Sequence, residues 1–350
     1  MKIQKKMNRG LKLLHKRGFA TFRNTALTRL SLKMKPARCL NWPSFAQIEI
    51  TTYCNLRCST CKEFTDQFGS EAEILKHLDF GKFKKIFERL PYLKRVRLNG
   101  VGEPLLHPEF LEMIQFVNSK GIEIEFFSNG TMFREEVSQE LIKYGVNTIF
   151  FSIDGAERDT FERIRKGAKF DEVMQNIRRF VELKKKSGLE TPDAVAITTL
   201  SKDNISEVPA IVELVHSLGL KKMMIKRMIP WVEELEGKIV SREEHDSIRI
   251  GIEAAKRLGI KLNTGSFTKA LVNEPALSLI TNCMWPWSST YITVDGWVTP
   301  CCNIYDPRTL NFGNIFEKDF AAIWGSEEFK EFRCQIKKGE TKICYTACII

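Results

Sequence analysis

The 350-residue sequence is informative first for what it lacks. No apolar run approaches the roughly 18 residues that a bilayer span requires, and the N-terminal segment has no continuous apolar stretch like that of a secretory signal. No self-similarity recurs at the periods of roughly 20–50 residues that mark solenoids. No cysteine lies between 62 and 282, so the ten cysteines fall at Cys39, at Cys54, Cys58 and Cys61, and at Cys283, Cys301, Cys302, Cys334, Cys344 and Cys348. Disulfide scaffolds are short and secreted, so thiols clustered in a long chain without a secretory signal read as metal or cluster ligands. No Asp or Glu occurs in residues 1–38, which hold 12 of the 54 Lys/Arg; the remainder carries 42 basic against 43 acidic residues. The net charge of +11 therefore belongs to one short arm, and no nucleic-acid partner is expected. At 43% hydrophobic and 28% charged, the chain is expected to be globular and cytoplasmic, with one large domain or a large and a small one.

Along the chain, residues 1–43 form a basic arm. Phe22, Ala26, Leu30 and Met34 recur every fourth residue, which places them on one helical face, until Pro36 and Pro43 stop the helix. From 44 to 230, β-rich runs at 46–51, 94–99, 122–128, 147–153, 194–200 and 222–229 alternate with helical stretches at 80–90, 108–120, 134–144, 170–187 and 205–218. Gly121, Gly145, Gly188 and Gly219 follow the last four of these, where helices commonly terminate in a glycine. Six strands alternating with five helices predict an α/β fold with a parallel sheet or partial barrel. Residues 231–282 read as a mostly helical, charged connector. Residues 283–350 change texture: Asp295-Gly296 between two short β-like runs predicts a two-residue hairpin, followed by a helix over 317–338.

Cys54, Cys58 and Cys61 form a C-x3-C-x2-C triplet directly after the first strand. Three thiolates on one loop hold three irons of a [4Fe–4S] cube and leave the fourth open, unlike the four-Cys ligation of ferredoxins. The alternative is a structural zinc, which needs a fourth ligand; His77 is the nearest histidine. This triplet resembles that of the radical S-adenosylmethionine (SAM) superfamily. The resemblance implies a partial (β/α)6 TIM-like barrel over about 44–230, with SAM chelating the open iron and cleaved by one electron to a hydrogen-abstracting 5′-deoxyadenosyl radical. A one-electron donor such as flavodoxin or ferredoxin follows. Thr60 departs from the aromatic residue common before the third Cys; its backbone is expected to meet the adenine.

Asn99-Gly100-Val101-Gly102-Glu103-Pro104 follows the second strand. Glycine permits close backbone approach, and a carboxylate pairs with an ammonium. In the family this is the GGE motif, here with Val101 in place of one glycine, so Gly102 and Glu103 are expected at the methionine amino group. Ser128-Asn129-Gly130 and Ser152-Ile153-Asp154-Gly155 end the third and fourth strands, where parallel strands present residues to an active-site mouth. By resemblance Ser152 contacts the ribose and Arg165 the SAM carboxylate, with Asn129 and Asp154 beside them. Each of these segments also reads as an ordinary turn.

At the C-terminal end, C-x12-G-x4-C over Cys283–Cys301, with Cys344 and Cys348, offers four thiolates from separated segments, for a second [4Fe–4S] cluster or a zinc. The spacing resembles the opening of the SPASM/twitch extensions of radical SAM enzymes. A full SPASM domain has seven cysteines and this region six, so one auxiliary cluster is expected. Cys302 reads as a spare or an exchange partner of Cys301, Cys334 as a small buried residue, and either as a hydrogen donor in an epimerase-type reaction; Cys39 reads as structural.

The arm has three readings: a helix packed across the barrel, a contact with an anionic membrane surface, or an organelle-targeting peptide. Its brevity argues against a built-in recognition module for a precursor peptide. The expected activity is radical chemistry of dehydrogenation or epimerisation type on a small molecule, sugar or lipid-linked glycan. The alternatives are maturation of a peptide and, from another class, a non-catalytic electron-transfer or binding protein.

Overall fold

The computed structural model describes residues 2–61, 75–228, 237–238, 240, 246–264, 280–304, 306–341 and 344, with side chains from 18 onward. Six strands appear where the alternation predicted them: β1 (Phe45–Ile48), β2 (Arg95–Leu98), β3 (Glu123–Ser128), β4 (Thr148–Ser152), β5 (Asp193–Leu200) and β6 (Lys222–Arg227). They pair in parallel in sequence order. Three more strands extend the sheet: β7 (Lys261–Asn263) joins β6 in parallel, β8 (Ser289–Ile292) joins β1 in parallel, and β9 (Val298–Thr299) runs antiparallel to β8. The order is β7-β6-β5-β4-β3-β2-β1-β8-β9, an open α/β sheet that does not close into a barrel.

Period-2 alternation explains the two faces. Ala46, Ile48, Ile50, Val96, Leu98, Ile124, Phe126, Ile149, Phe151 and Ile225 are buried among helix residues. The helices supplying that layer include α2 (Phe80–Arg89), α3 (Phe110–Ser119), α4 (Glu135–Lys143), α6 (Phe170–Ser187) and α7 (Val208–Ser217). Asp79 caps α2, its Oδ1 accepting from Lys82 N at 2.9 Å. Gly121, Gly145, Gly188 and Gly219 all take positive φ where the sequence placed helix ends. The alternate strand residues, Gln47, Glu49, Arg97, Glu125, Phe127, Phe150, Ser152 and Lys226, share the opposite, inner face. Strands buried on both faces read as continuous apolar runs; these charges mark the inner face as something other than a dry core.

Among the described residues of the connector, α8 (Asp246–Arg257) is followed by strand β7. Three expectations are corrected. Beyond the short helix α9 (Trp285–Ser288), the helix foreseen over 317–338 is two, α10 (Phe320–Trp324) and α11 (Glu327–Lys338), because Ser326 caps α11 by accepting from Phe329 N at 3.2 Å. The β8–β9 loop has three residues, Val294 to Gly296, since Tyr291 pairs Thr299 and Ile292 pairs Val298; Gly296 takes the positive φ of 90° that such a loop needs. In the arm, helix α1 (Lys2–Met34) breaks at Gly18 (φ 75°, ψ 167°), and the apolar stripe does not pack. Thr21, Asn24, Thr28 and Ser31 are buried instead, while Phe22, Leu30 and Met34 are exposed. Asn24 wins because it pairs a backbone: its Oδ1 accepts from Trp42 N at 2.8 Å and its Nδ2 donates to Trp42 O at 3.1 Å. Thr28 satisfies itself by donating to Asn24 O at 2.8 Å. No helix among the described residues is long and apolar enough to cross a membrane.

Candidate active site

The thiol loop is held by chain that follows β4, three strands away in the sheet. Arg57 N donates to Lys166 O (2.9 Å) and Ser59 N to Ile164 O (2.8 Å), the segment that ends helix α5 (Arg158–Ile164). Gly167, with φ 98°, lets that segment lie against Leu56. Cys61 N donates to Cys58 O at 2.9 Å, closing the turn that contains Thr60. Burial raises the pKa of all three thiols, and Cys61 is raised further by the charges of Cys58 and Cys54. Cys61 is solvent-exposed. Arg165 acts on all three in the opposite sense, favouring the thiolates.

Gly102 has no room for a side chain: a Cβ would sit 2.6 Å from Thr51 O and 2.5 Å from Tyr53 O. Glu103 N donates to Tyr53 O at 2.8 Å, drawing the loop after β2 onto the loop after β1. The Glu103 carboxylate is buried, and accepts from Ser128 Oγ and Asn129 N, both at 2.8 Å. Burial pushes it up to about 7 despite these donors. Asn129 Nδ2 in turn donates to Asn55 Oδ1 (2.9 Å), inside the thiol loop. Asp154 and Arg165 form a buried ion pair at 2.7 Å, with Asp154 Oδ1 also accepting from Thr199 N at 2.8 Å. Ser152 lies two residues before Asp154, on the inner face. The strand ends thus bring Cys54, Cys58, Cys61, Gly102, Glu103, Asn129, Asp154 and Arg165 into one hydrogen-bonded and electrostatic constellation.

Among the described residues no three of the His, Cys, Asp or Glu side chains are placed to hold a single metal ion. A cube spreads its thiolates over separate irons, so its ligands need not converge on a point. His77, the fourth ligand a zinc would need, instead stacks on Tyr53 at 4.4 Å. Arg165 Nε is buried without a hydrogen-bond partner, a free donor beside the thiols suited to a carboxylate, and the Glu103 carboxylate suits an ammonium. Those are the two charged groups of the methionine part of SAM, and the donor set fits them.

In the C-terminal region Cys283 and Cys301 are partly buried against the core and Cys344 is buried; Cys348 lies outside the described residues. Cys302 is half-buried, its Sγ donating to Asn303 Oδ1 at 3.7 Å. Cys334 is exposed on α11, not buried as expected. Cys39 is half-buried and hydrogen-bonded to Ser31.

Several residues at the site gave no motif. The Glu49 carboxylate accepts from Val101 N (3.0 Å), Tyr291 Oη (3.2 Å) and Val294 N (3.1 Å), joining the loop after β2 to the β8–β9 hairpin. On the inner face Arg97 pairs with Glu125, and Lys226 lies over the Phe127 ring at 4.4 Å. Phe127 meets Phe150 edge-on at 4.7 Å. The available signal was a charge inside an otherwise apolar parallel strand.

Residues 48–215 match the family model of the radical SAM superfamily, and residues 283–349 that of an iron–sulfur cluster-binding domain, SPASM; together they span more than half of the chain. A tungsten-containing aldehyde ferredoxin oxidoreductase cofactor-modifying protein of Pyrococcus furiosus is 27% identical over 313 residues, covering 83% of each chain. The sporulation killing factor maturation protein SkfB of Bacillus subtilis is 27% identical over 306 residues, 84% of this chain and 68% of that one. The structure of Streptococcus suis SuiB superposes with a TM-score of 0.69 at 15% identity over 99% of this chain and 83% of that chain, a likeness of fold. Such domains bind SAM and [4Fe–4S] clusters, and this chain belongs to the radical SAM superfamily, with a SPASM domain at its C-terminal end.

Proposed function

We propose that the chain directs hydrogen abstraction from a small organic substrate (a cofactor precursor, sugar or lipid-linked sugar) in a reaction of dehydrogenation or epimerisation type. When bound, SAM and its cluster supply the 5′-deoxyadenosyl radical, and one auxiliary [4Fe–4S] cluster on Cys283, Cys301, Cys344 and Cys348 supplies an electron relay. The observation that supports this is the convergence of three thiols, a buried carboxylate and a buried guanidinium at the C-terminal ends of the strands.

The chain's own groups then have distinct tasks. Cys54, Cys58 and Cys61 hold three corners of the cluster, and Arg165 offsets their negative charge. Glu103 takes the SAM ammonium and Gly102 the close approach beside it. Arg165 Nε reaches the carboxylate, with Asp154 fixing its orientation. Ser152 meets the ribose, the Thr60 backbone the adenine, and Asn129 locks the thiol loop to β3. On the inner face Phe127, Phe150, Val195, Ile197 and Met224 form an apolar cluster that excludes water from a reactive radical. Arg97, Glu125 and Lys226 supply polar anchors beside it. Cys302, half-buried, is the thiol proposed to return a hydrogen atom, ahead of Cys334, which is exposed on α11.

The name of the Pyrococcus furiosus relative, a cofactor-modifying protein, favours the small-molecule reading. That of SkfB favours a second one, in which the substrate is a peptide side chain. The test is anaerobic: the iron-loaded protein, reduced in the presence of SAM, should release 5′-deoxyadenosine and hold about eight irons, as two cubes require. Cys58→Ala should bring that release below detection; persistence of the product would remove the assignment. Deuterated small molecules and peptides, screened for label transfer into 5′-deoxyadenosine, separate the two readings.

A further inference from the structure

The docking of α1 leaves one feature with no task in radical chemistry. Residues Phe19, Phe22, Ala26, Leu30 and Met34 fall within an arc of roughly 120° at 3.6 residues per turn. The rest of the described chain does not cover this arc: Phe19 is 70%, Leu30 53% and Met34 60% exposed. Arg23, Arg29 and Lys33 lie on the same outward side and are exposed. Leu40, 73% exposed, and Arg38 continue the mixture past the helix end. The opposite side is fastened. Asn24 pairs with the Trp42 backbone, Lys94 Nζ donates to Thr25 Oγ1, and Lys337 Nζ donates to Met34 O at 3.4 Å. The helix is therefore held rigidly with large apolar side chains pointing away from the protein.

We propose that this face of α1 docks the protein on an anionic membrane surface. Isolated exposed hydrophobes need no explanation, but a row of them at helical spacing does. An apolar row flanked by Arg and Lys is the pattern of a helix lying in the lipid interface, its hydrocarbon side chains among the acyl chains and its cations at the headgroups. Charge complementarity selects the occupant: residues 1–38 hold 12 Lys/Arg and no Asp/Glu, whereas the rest of the chain is nearly neutral. A second copy of this chain would bring two such arms together in mutual repulsion. Lys and Arg near an anionic leaflet instead gain from its surface potential within a Debye length.

The experiment uses the full, iron-loaded chain and sedimentation with vesicles of phosphatidylcholine alone or with one third phosphatidylglycerol. The protein should pellet with the anionic vesicles and not with the neutral ones, and raising the salt from about 0.1 to about 0.5 M should weaken pelleting several-fold. The triple variant Phe22→Ser, Leu30→Ser, Met34→Ser should lower partitioning at least tenfold. The variant Arg23→Glu, Arg29→Glu, Lys33→Glu should do so too, each with unchanged iron content and circular dichroism. Absence of pelleting with anionic vesicles overturns the proposal. So does pelleting that the serine variant leaves intact, which would be charge attraction alone. A concentration-dependent dimer in lipid-free solution that the serine variant abolishes also overturns it, assigning the face to a second copy.

Discussion

The two thiol-bearing regions are built by opposite means. In the first, three cysteines lie within eight residues, and distant chain fixes the loop between them: Lys166 O and Ile164 O accept its amides, and Asn129 anchors Asn55. In the second, Cys283, Cys301 and Cys344 come from three separated segments, in a region where β8 pairs with β1 and Arg333 Nε donates to Pro286 O at 2.8 Å. Cys283 N donates to Ile280 O at 2.9 Å and Ile304 N to Cys301 O at 3.1 Å. A loop pinned by long-range hydrogen bonds keeps its shape without a metal. A site assembled from separated segments gains order from the metal that its thiolates share. The first region thus holds its thiols on one pinned loop, and the second gathers them from three segments that a bound cluster would tie together.

Removing the iron should break this symmetry most visibly. Anaerobic chelation, followed by hydrogen exchange, should leave the Arg57 and Ser59 amides within a few-fold of their protection. The Cys283 and Ile304 amides should exchange about 100-fold faster, equivalent to about 3 kcal/mol of lost local stability. Equal loss at both places would remove the distinction.

Glu49 is one of the residues that tie the two regions together, and its removal should show how far they are coupled. Glu49→Ala leaves Val101 N, Val294 N and Tyr291 Oη without their acceptor, at a cost of about 3 kcal/mol in chemical denaturation. Glu49→Gln, which retains one acceptor oxygen, should cost about half of that. The pH dependence gives an independent readout. Burial raises the Glu49 pKa above its ordinary 4.5, so the folded chain holds this proton more tightly than the unfolded one. The stability it contributes is present below pH 4.5 and lost as pH rises through the folded value. That decline should flatten in Glu49→Gln; an unchanged slope would assign it to other carboxyls.

What was legible in the sequence follows from the range of the interactions involved. β1 to β6 could be read because their alternation is local, and the glycine helix ends for the same reason. The Cys54–Cys61 triplet and the Asn99–Pro104 turn carry their chemistry within a few residues. The addition of β8 to the edge of β1 could not be read: Phe45 faces Ser289 across 244 positions of chain with no local mark of it. In the arm, Phe22, Ala26, Leu30 and Met34 share a period with Thr21, Asn24, Thr28 and Ser31. Periodicity says which residues share a face and not which face docks; the hydrogen bonds of Asn24 decided that. Glu49, Arg97, Glu125 and Lys226 belong to no motif, and their roles arise only when the sheet assembles.

The smallest effect is the most local probe of the contrast. Lys226 stands on β6, but the charges acting on it come from both regions. Burial and, after it, the charge of Arg97 lower its pKa from 10.5 to about 8, against the raising effect of Cys302 and Glu125. A cation with a depressed pKa makes the unfolded chain the stronger proton binder between about 8 and 10.5. Stability should therefore rise with pH across that window, and Lys226→Met should remove the rise. If the C-terminal region loosens on loss of iron, water reaches the inner face and the burial of Lys226 weakens. The midpoint of its reaction with an amine-directed reagent, followed by mass spectrometry, should then move from about 8 toward 10.5. A midpoint indifferent to iron would mean that the packing of Phe127 and Arg97 alone sets the lysine's surroundings, and that the second region closes over the sheet without help from its metal.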